Sequence, residues 1–170
     1  YAPRLKTQYE VKLQKELKEK FGLSNVHEVP RLEKIVVSVG IGKNKDDKHH
    51  HQAVVNTIRK ITGQQPIDRM AKKSIAGFKI LAGMNRVVVS VTLRGVRMYE
   101  FLERLVNVSL PRVRDFHAVG KKGFDQSGNY NLGITDQSVF PGLNLEETQG
   151  MNGLKNTVVL LGGKPELPQR

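Results

Sequence analysis

Residues 69–97 read Arg69-Met-Ala-Lys-Lys-Ser-Ile-Ala-Gly-Phe-Lys-Ile-Leu-Ala-Gly-Met-Asn-Arg-Val-Val-Val-Ser-Val-Thr-Leu-Arg-Gly-Val-Arg97. The stretch holds seven cations (Arg69, Lys72, Lys73, Lys79, Arg86, Arg94 and Arg97) and no acid. Its second half alternates. Val87, Val89, Val91 and Leu93 fall on one face of a strand, and Val88, Ser90, Thr92 and Arg94 on the other. The first face is core. The second pairs hydroxyls with a guanidinium, which suits phosphate and ribose better than lipid or an apolar pocket. The first half, Lys72 to Asn85, is a basic loop, long for a hairpin connection. Long loops kept in a compact domain are often functional. Lys72, Lys73 and Lys79 supply its charge, Gly77 and Gly83 allow close backbone approach, and Phe78 is placed either to stack on a base or to pin the loop.

Working outward, Arg31 to Ile41 repeats the division. Ile35, Val37, Val39 and Ile41 form the apolar face, and Lys34, Val36, Ser38 and Gly40 the polar one. Two strands so patterned predict an α/β (α+β) fold in which helices cover one face of a mostly antiparallel sheet and the other face is left for a ligand. Arg4 to Phe21 reads as a helix with Leu5, Tyr9, Leu13 and Leu17 in one stripe, Pro3 at its start and Gly22 past its end. Glu10, Glu16 and Glu19 interrupt its lysines, so packing on the core is favoured over RNA contact. Val54, Val55, Ile58 and Ile61 mark a second helix over 53–62, capped by Asp46 or Asp47 and stopped by Gly63. Met98, Phe101, Leu102 and Leu105 mark a third over 97–110, ended by Pro111. The segment 111–117 alternates like an edge strand or arm, contributing Arg112 and Arg114. A short strand is expected within 131–140 and a last strand over 154–161. Residues 162–170 form a loose tail.

Composition narrows the function. The 170 residues carry 28 Lys and Arg against 16 Asp and Glu, a net charge of +12 and a pI near 10. That excess is the footprint of a polyanion partner, foremost nucleic acid. No run approaches the roughly 18 apolar residues of a membrane span. The cations lie on strands and loops rather than on one amphipathic helix, which disfavours a membrane surface. Cysteine is absent, which removes disulfides, thiolate metal sites and cysteine nucleophiles. Gly40-Ile41-Gly42 lacks the third glycine of a dinucleotide fingerprint, and position 45 is Lys. His49, His50 and His51 are adjacent and on a regular element diverge, so no metal and no cofactor are expected. Asp115 and His117 beside Arg112 and Arg114 make a conceivable acid-base pair acting on RNA. No nucleophile or metal set joins them, and an Arg-rich arm needs an acid for charge balance.

Several segments together resemble a known family, the bacterial-type large-subunit ribosomal protein L5 (universal uL5). They are His27-Glu-Val-Pro-Arg-Leu-Glu-Lys-Ile35, Ile61-Thr-Gly-Gln-Gln-Pro66, Ala71-Lys-Lys-Ser-Ile-Ala-Gly-Phe-Lys79 and Val91-Thr-Leu-Arg-Gly95. Further on come Met98-Tyr-Glu-Phe-Leu-Glu-Arg-Leu105, Leu110-Pro-Arg-Val-Arg-Asp-Phe116, Phe124-Asp125 and Gly128-Asn-Tyr130. The resemblance implies one 5S rRNA-binding domain over 1–170, with an N-terminal helix over 1–22 and a curved sheet. It implies a non-enzymatic place in the central protuberance of the large subunit, in a bacterial, mitochondrial or plastid ribosome. The implied partners are 5S rRNA, large-subunit rRNA, peptidyl-site tRNA, a small-subunit head protein and neighbouring large-subunit proteins, with no membrane. By resemblance, Ser38, Gln64, Thr92 and Arg94 match the family's 5S contacts. Lys34, Ser90, Arg112 and Arg114 join them as rRNA candidates on charge and strand position. The loop residues Lys72, Lys73, Ser74, Gly77, Phe78 and Lys79 match the part reaching toward tRNA. Departures are Ser38 where the family usually has Asn, His117 for Arg, Thr135-Asp136 for Arg-Glu, and Gly162-Gly-Lys-Pro165 where a closing helix is usual. This drift, and a first residue Tyr1 rather than Met, fit an organellar member as readily as a bacterial one.

Overall fold

The computed structural model describes residues 2–42, 46–83, 86–113, 123–134, 137–143 and 154–161. Five strands make one sheet: β1 Arg31–Gly40, β2 Ile67–Met70, β3 Arg86–Leu93, β4 Tyr130–Ile134 and β5 Leu154–Leu161. Their order is β2-β3-β1-β5-β4, and every pairing is antiparallel. Among the described residues, three longer helical stretches accompany the sheet. α1 covers Arg4–Gln8, takes one wide turn at Tyr9–Leu13 and resumes over Gln14–Phe21. α2 is Lys48–Thr62. α3 covers Gly95–Arg104, widens at Leu105–Ser109 and closes over Leu110–Arg112. The α+β class expected from the alternating strands is the architecture found.

The core lies between the sheet and the helices. Ile35, Val37 and Val39 of β1 sit directly opposite Leu93, Val91 and Val89 of β3, and all six are buried. Val54, Ile58 and Ile61 of α2 and Met98, Phe101 and Leu105 of α3 cover them in one cluster. Each such side chain contributes about 1.5–3 kcal/mol on burial. A one-residue slip of β1 on β3 would turn this apolar set outward, so the alternation fixes the register.

Three boundaries differ from the sequence expectation. α2 begins five residues before Ala53, because the Asp47 side chain accepts from the backbone N–H of His49 and of His50, at 2.9 and 3.1 Å. The histidines therefore form its first turn. Gly63, at φ +70°, closes the helix in the left-handed region a β-carbon disfavours. α3 starts at Gly95 rather than Arg97 and runs through Pro111 to Arg112. The last turn tolerates proline because a helix end has few backbone bonds to lose. The Leu5–Leu17 stripe of α1 is only half covered, with Leu13 36% exposed. The wide turn adds a residue and rotates the second half of the helix by about 100°.

The Asp47 cap gives a pH prediction. The backbone N–H groups of His50 and His49 hold its carboxyl below the usual carboxylate value. A carboxyl lowered in the folded state stabilises above its unfolded value and loses that effect as pH falls through the folded one. Asp47→Ala should thus lower the melting temperature at neutral pH, and the gap to the parent should close as pH drops below the carboxylate range. Parallel melts across pH check this; a gap unchanged by acid would count against the cap.

Candidate nucleic-acid interface

The side of the sheet that no described helix covers collects most of the polar candidates. On β1, Lys34, Val36 and Ser38 share the side opposite the core. Ser38 pairs directly with Ser90 of β3, and Val36 with Thr92. On β2, Ile67 pairs with Ser90 and Arg69 with Val88, so both lie on this same side. On β4, Asn131 pairs with Thr157 of β5, itself opposite Val36. Among the described side chains, the result is a surface with hydroxyls along the middle of β1 and β3 and cations toward its ends.

Individual contacts refine the picture. The Arg69 side chain donates Nε–H to Ser90 Oγ at 3.3 Å. Ser90 is only 3% exposed, so it anchors a guanidinium more than it offers a hydroxyl. Arg69 owes this place to the parity of β2, a strand only four residues long and too short to show a period in sequence. Gln64 donates its side-chain amide to the Thr92 carbonyl at 3.1 Å, which ties it to the β3 backbone at that residue. Arg94, at the end of β3, lies 3.6 Å from Glu33, so part of its charge is already balanced. Arg112 closes α3 and is not on the sheet face. The expected extended arm is corrected to that extent, because α3 continues through Pro111. Arg114, with Asp115 and His117, lies outside the described residues, as does the tail 162–170.

The basic loop is built, not slack. Ile75 and Ile80 exchange both backbone N–H···O bonds, at 2.9 and 3.1 Å, making a second tier of hairpin beyond β2 and β3. Ser74 Oγ accepts from Ala82 N at 3.0 Å, and Gly83 N donates to Ala71 O at 2.8 Å. Ala76–Phe78 form a tight turn, and Lys79 follows at φ +51°, a left-handed conformation unusual for a side chain-bearing residue. Lys72, Lys73, Gly77 and Lys79 are all exposed on this frame. The side chain of Phe78 lies outside the described residues.

One polar node ties the loop to the body, and nothing in the sequence announced it. Asp68 of β2 pairs with Val89, so it points to the helix-covered side. There its carboxylate lies 2.7 Å from His51 Nε2 of α2 and 3.3 Å from Arg86 Nε of β3. Asp68 is the acid adjoining a 29-residue acid-free stretch, and it holds both roots of the loop against α2. Asp68→Asn should cost about 1–2 kcal/mol, since a partly buried charged network loses its centre. The exchange of the Ile75 and Ile80 amides should accelerate more than that of β1. Uniform acceleration across the sheet would show instead that Asp68 supports only global stability.

An α+β scaffold with a strong positive charge and a sheet face that no described helix covers points to a class: a protein that binds a polyanion. Comparison with known proteins makes that class specific. Residues 25–80 match the family model for ribosomal protein L5, and residues 86–164 match that for the ribosomal L5P family C-terminus. The chain is 46% identical over 159 residues to the large ribosomal subunit protein uL5 of Flavobacterium johnsoniae, covering 94% of this chain and 86% of that one. It is 48% identical over 155 residues to uL5 of Halothermothrix orenii, covering 91% and 86%. With uL5 of Leptospira biflexa it shares 46% over 157 residues, covering 92% and 85%. The chain belongs to the ribosomal protein L5 (uL5) family.

Proposed function

We propose that this protein holds 5S rRNA on the bare sheet face and joins it to large-subunit rRNA in the central protuberance. The 72–85 loop extends toward the elbow of peptidyl-site tRNA, and the protein bridges to a protein of the small-subunit head. The coarser statement follows from the family: it is a structural protein of the large ribosomal subunit, not an enzyme, and works among rRNA and other ribosomal proteins in translation. For the finer reading, the observation that carries most weight is the meeting of Ser38, Thr92, Gln64 and the Arg69–Ser90 pair on one uncovered surface. Hydroxyls and amides at fixed spacing read ribose and base edges, while flanking Lys34, Arg69 and Arg94 position phosphates. A departure from the family's usual Asn at Ser38 trades an amide for a hydroxyl and so removes one donor group from that contact.

Binding to 5S rRNA across a salt series, with tRNA and random RNA as competitors, tests this directly. The parent should prefer 5S rRNA, with affinity falling steeply as salt rises. The double variant Thr92→Ala, Arg94→Ala should lose roughly tenfold to a hundredfold in affinity and most of the preference, since a polar readout contact and a phosphate contact go together. Equal binding to every RNA, unchanged in the variant, would remove 5S recognition from this face.

A further inference from the structure

A groove of about 370 Å³ lies between α1, the single turn Val26–Glu28, the start of β1 and the middle of α3. Tyr9, Glu10 and Gln14 line it from α1, and Tyr99 from α3. Val26, Val29 and Leu32 give it an apolar side. The two tyrosines differ. Tyr9 donates its hydroxyl to the Pro30 carbonyl at 2.7 Å and is spent in holding α1 to the strand entry. Tyr99 is only 9% exposed, yet its hydroxyl has no hydrogen-bond partner among the described residues. Burial and the Glu10 carboxylate raise its pKa, and the Arg31 guanidinium lowers it, so an anion and a cation both act on one phenol. Arg31 has no carboxylate partner among the described residues. Glu10 keeps only a 3.9 Å contact with Lys6. Val26 is 44% exposed at the edge.

The inventory selects the occupant. The groove offers donors at Arg31, an acceptor at Glu10, and groups that do both at Tyr99 and Gln14. A peptide presents N–H and C=O groups side by side and matches such a mixed set. An RNA backbone would set a phosphate against the Glu10 carboxylate, a like-charge contact that a peptide avoids. The groove is walled by α1 and α3, away from the bare sheet face, so both surfaces can be filled together. We propose that it docks an extended segment of a neighbouring large-subunit protein, with an acidic group on Arg31 and an apolar side chain on Val26. This rests on the chain's place in the large subunit.

The test uses ribosomes assembled with the full chain carrying a photoreactive benzoyl-phenylalanine in place of Val26. Irradiation followed by mass spectrometry should give one cross-link to one segment of a large-subunit protein. A synthetic peptide of that segment should bind the purified chain, and Tyr99→Phe with Arg31→Gln should weaken it about tenfold or more, with 5S rRNA binding unchanged. Tyr99→Phe keeps the buried ring, so lost binding would not reflect lost folding. A cross-link to RNA, no cross-link in assembled subunits, or peptide binding indifferent to the double variant would each overturn the groove's role alone. Failure of the chain to enter the large subunit would overturn the ribosomal reading as well.

Discussion

Exchanging Lys72, Lys73 and Lys79 together for Gln should lower tRNA affinity about a hundredfold or more near 0.1 M salt. The slope of log affinity against log salt should shrink by about two to three units, because each neutralised phosphate contributes roughly 0.7–0.9. All three lysines are exposed and the loop backbone is held by its own bonds, Ile75 to Ile80 and Ala71 to Gly83, so the melting temperature should barely move. Lys79 adds a geometric component. Its left-handed backbone aims the third cation away from the direction a regular hairpin would give, and Gln in its place keeps the backbone strain while removing the charge. Fluorescence anisotropy on labelled tRNA over a salt series reads both quantities. A triple variant with the parent's slope would mean that the loop touches no phosphate, and that the long-range charge of the whole chain accounts for tRNA binding.

Phe101→Ala should be the most destabilising single change, about 3–5 kcal/mol. Phe101 is 1% exposed, and its ring stacks on Phe140 with centroids 6.2 Å apart and planes 20° apart. It therefore joins α3 to the segment after β4 as well as to the central strands. For a chain of this size the loss should lower the melting temperature by roughly 10 °C. RNA binding at low temperature should fall only as far as the unfolded fraction requires, since Phe101 is on the covered side. Thermal melts and binding isotherms on the same sample separate the two effects. A drop in RNA affinity in fully folded protein would show that the core and the bare face are mechanically coupled.

Alternation made the sheet legible. β1 and β5 occupy nearly the residues expected, and the apolar faces of β1 and β3 are the ones buried. Period-2 patterning survives in central strands because both neighbours enforce it. Features set by distant partners were invisible. Val87 was expected in the core but is half-buried, since it stands near the end of β3 where cover runs out. Ser90 read as a surface hydroxyl, yet Arg69 from β2 lies across it, and no local pattern records that contact. The His51–Asp68–Arg86 node joins residues up to 35 positions apart. The Asp47 cap was legible, whereas the exact helix starts were not: the three polar histidines carry no apolar period to mark the first turn of α2, and α3 starts at Gly95, whose positive φ turns the chain into the helix without a side-chain cap. For the candidate interface, charge and strand parity marked the face and the loop as candidates, while the pairing of Arg94 with Glu33 required the fold.

The most direct measurement exploits the absence of cysteine from the chain. A single Gly40→Cys places a thiol on the bare face, where a β-carbon meets no atom within 4 Å. A single Val106→Cys places one on α3, at an exposed position on the helical side. Each is tethered to an iron chelate and bound to 5S rRNA, and the cleaved nucleotides are mapped. Strong, localised cleavage from position 40 with little from position 106 is the predicted result. Strong cleavage from position 106 with none from position 40 would contradict the assignment of the bare sheet face as the rRNA surface.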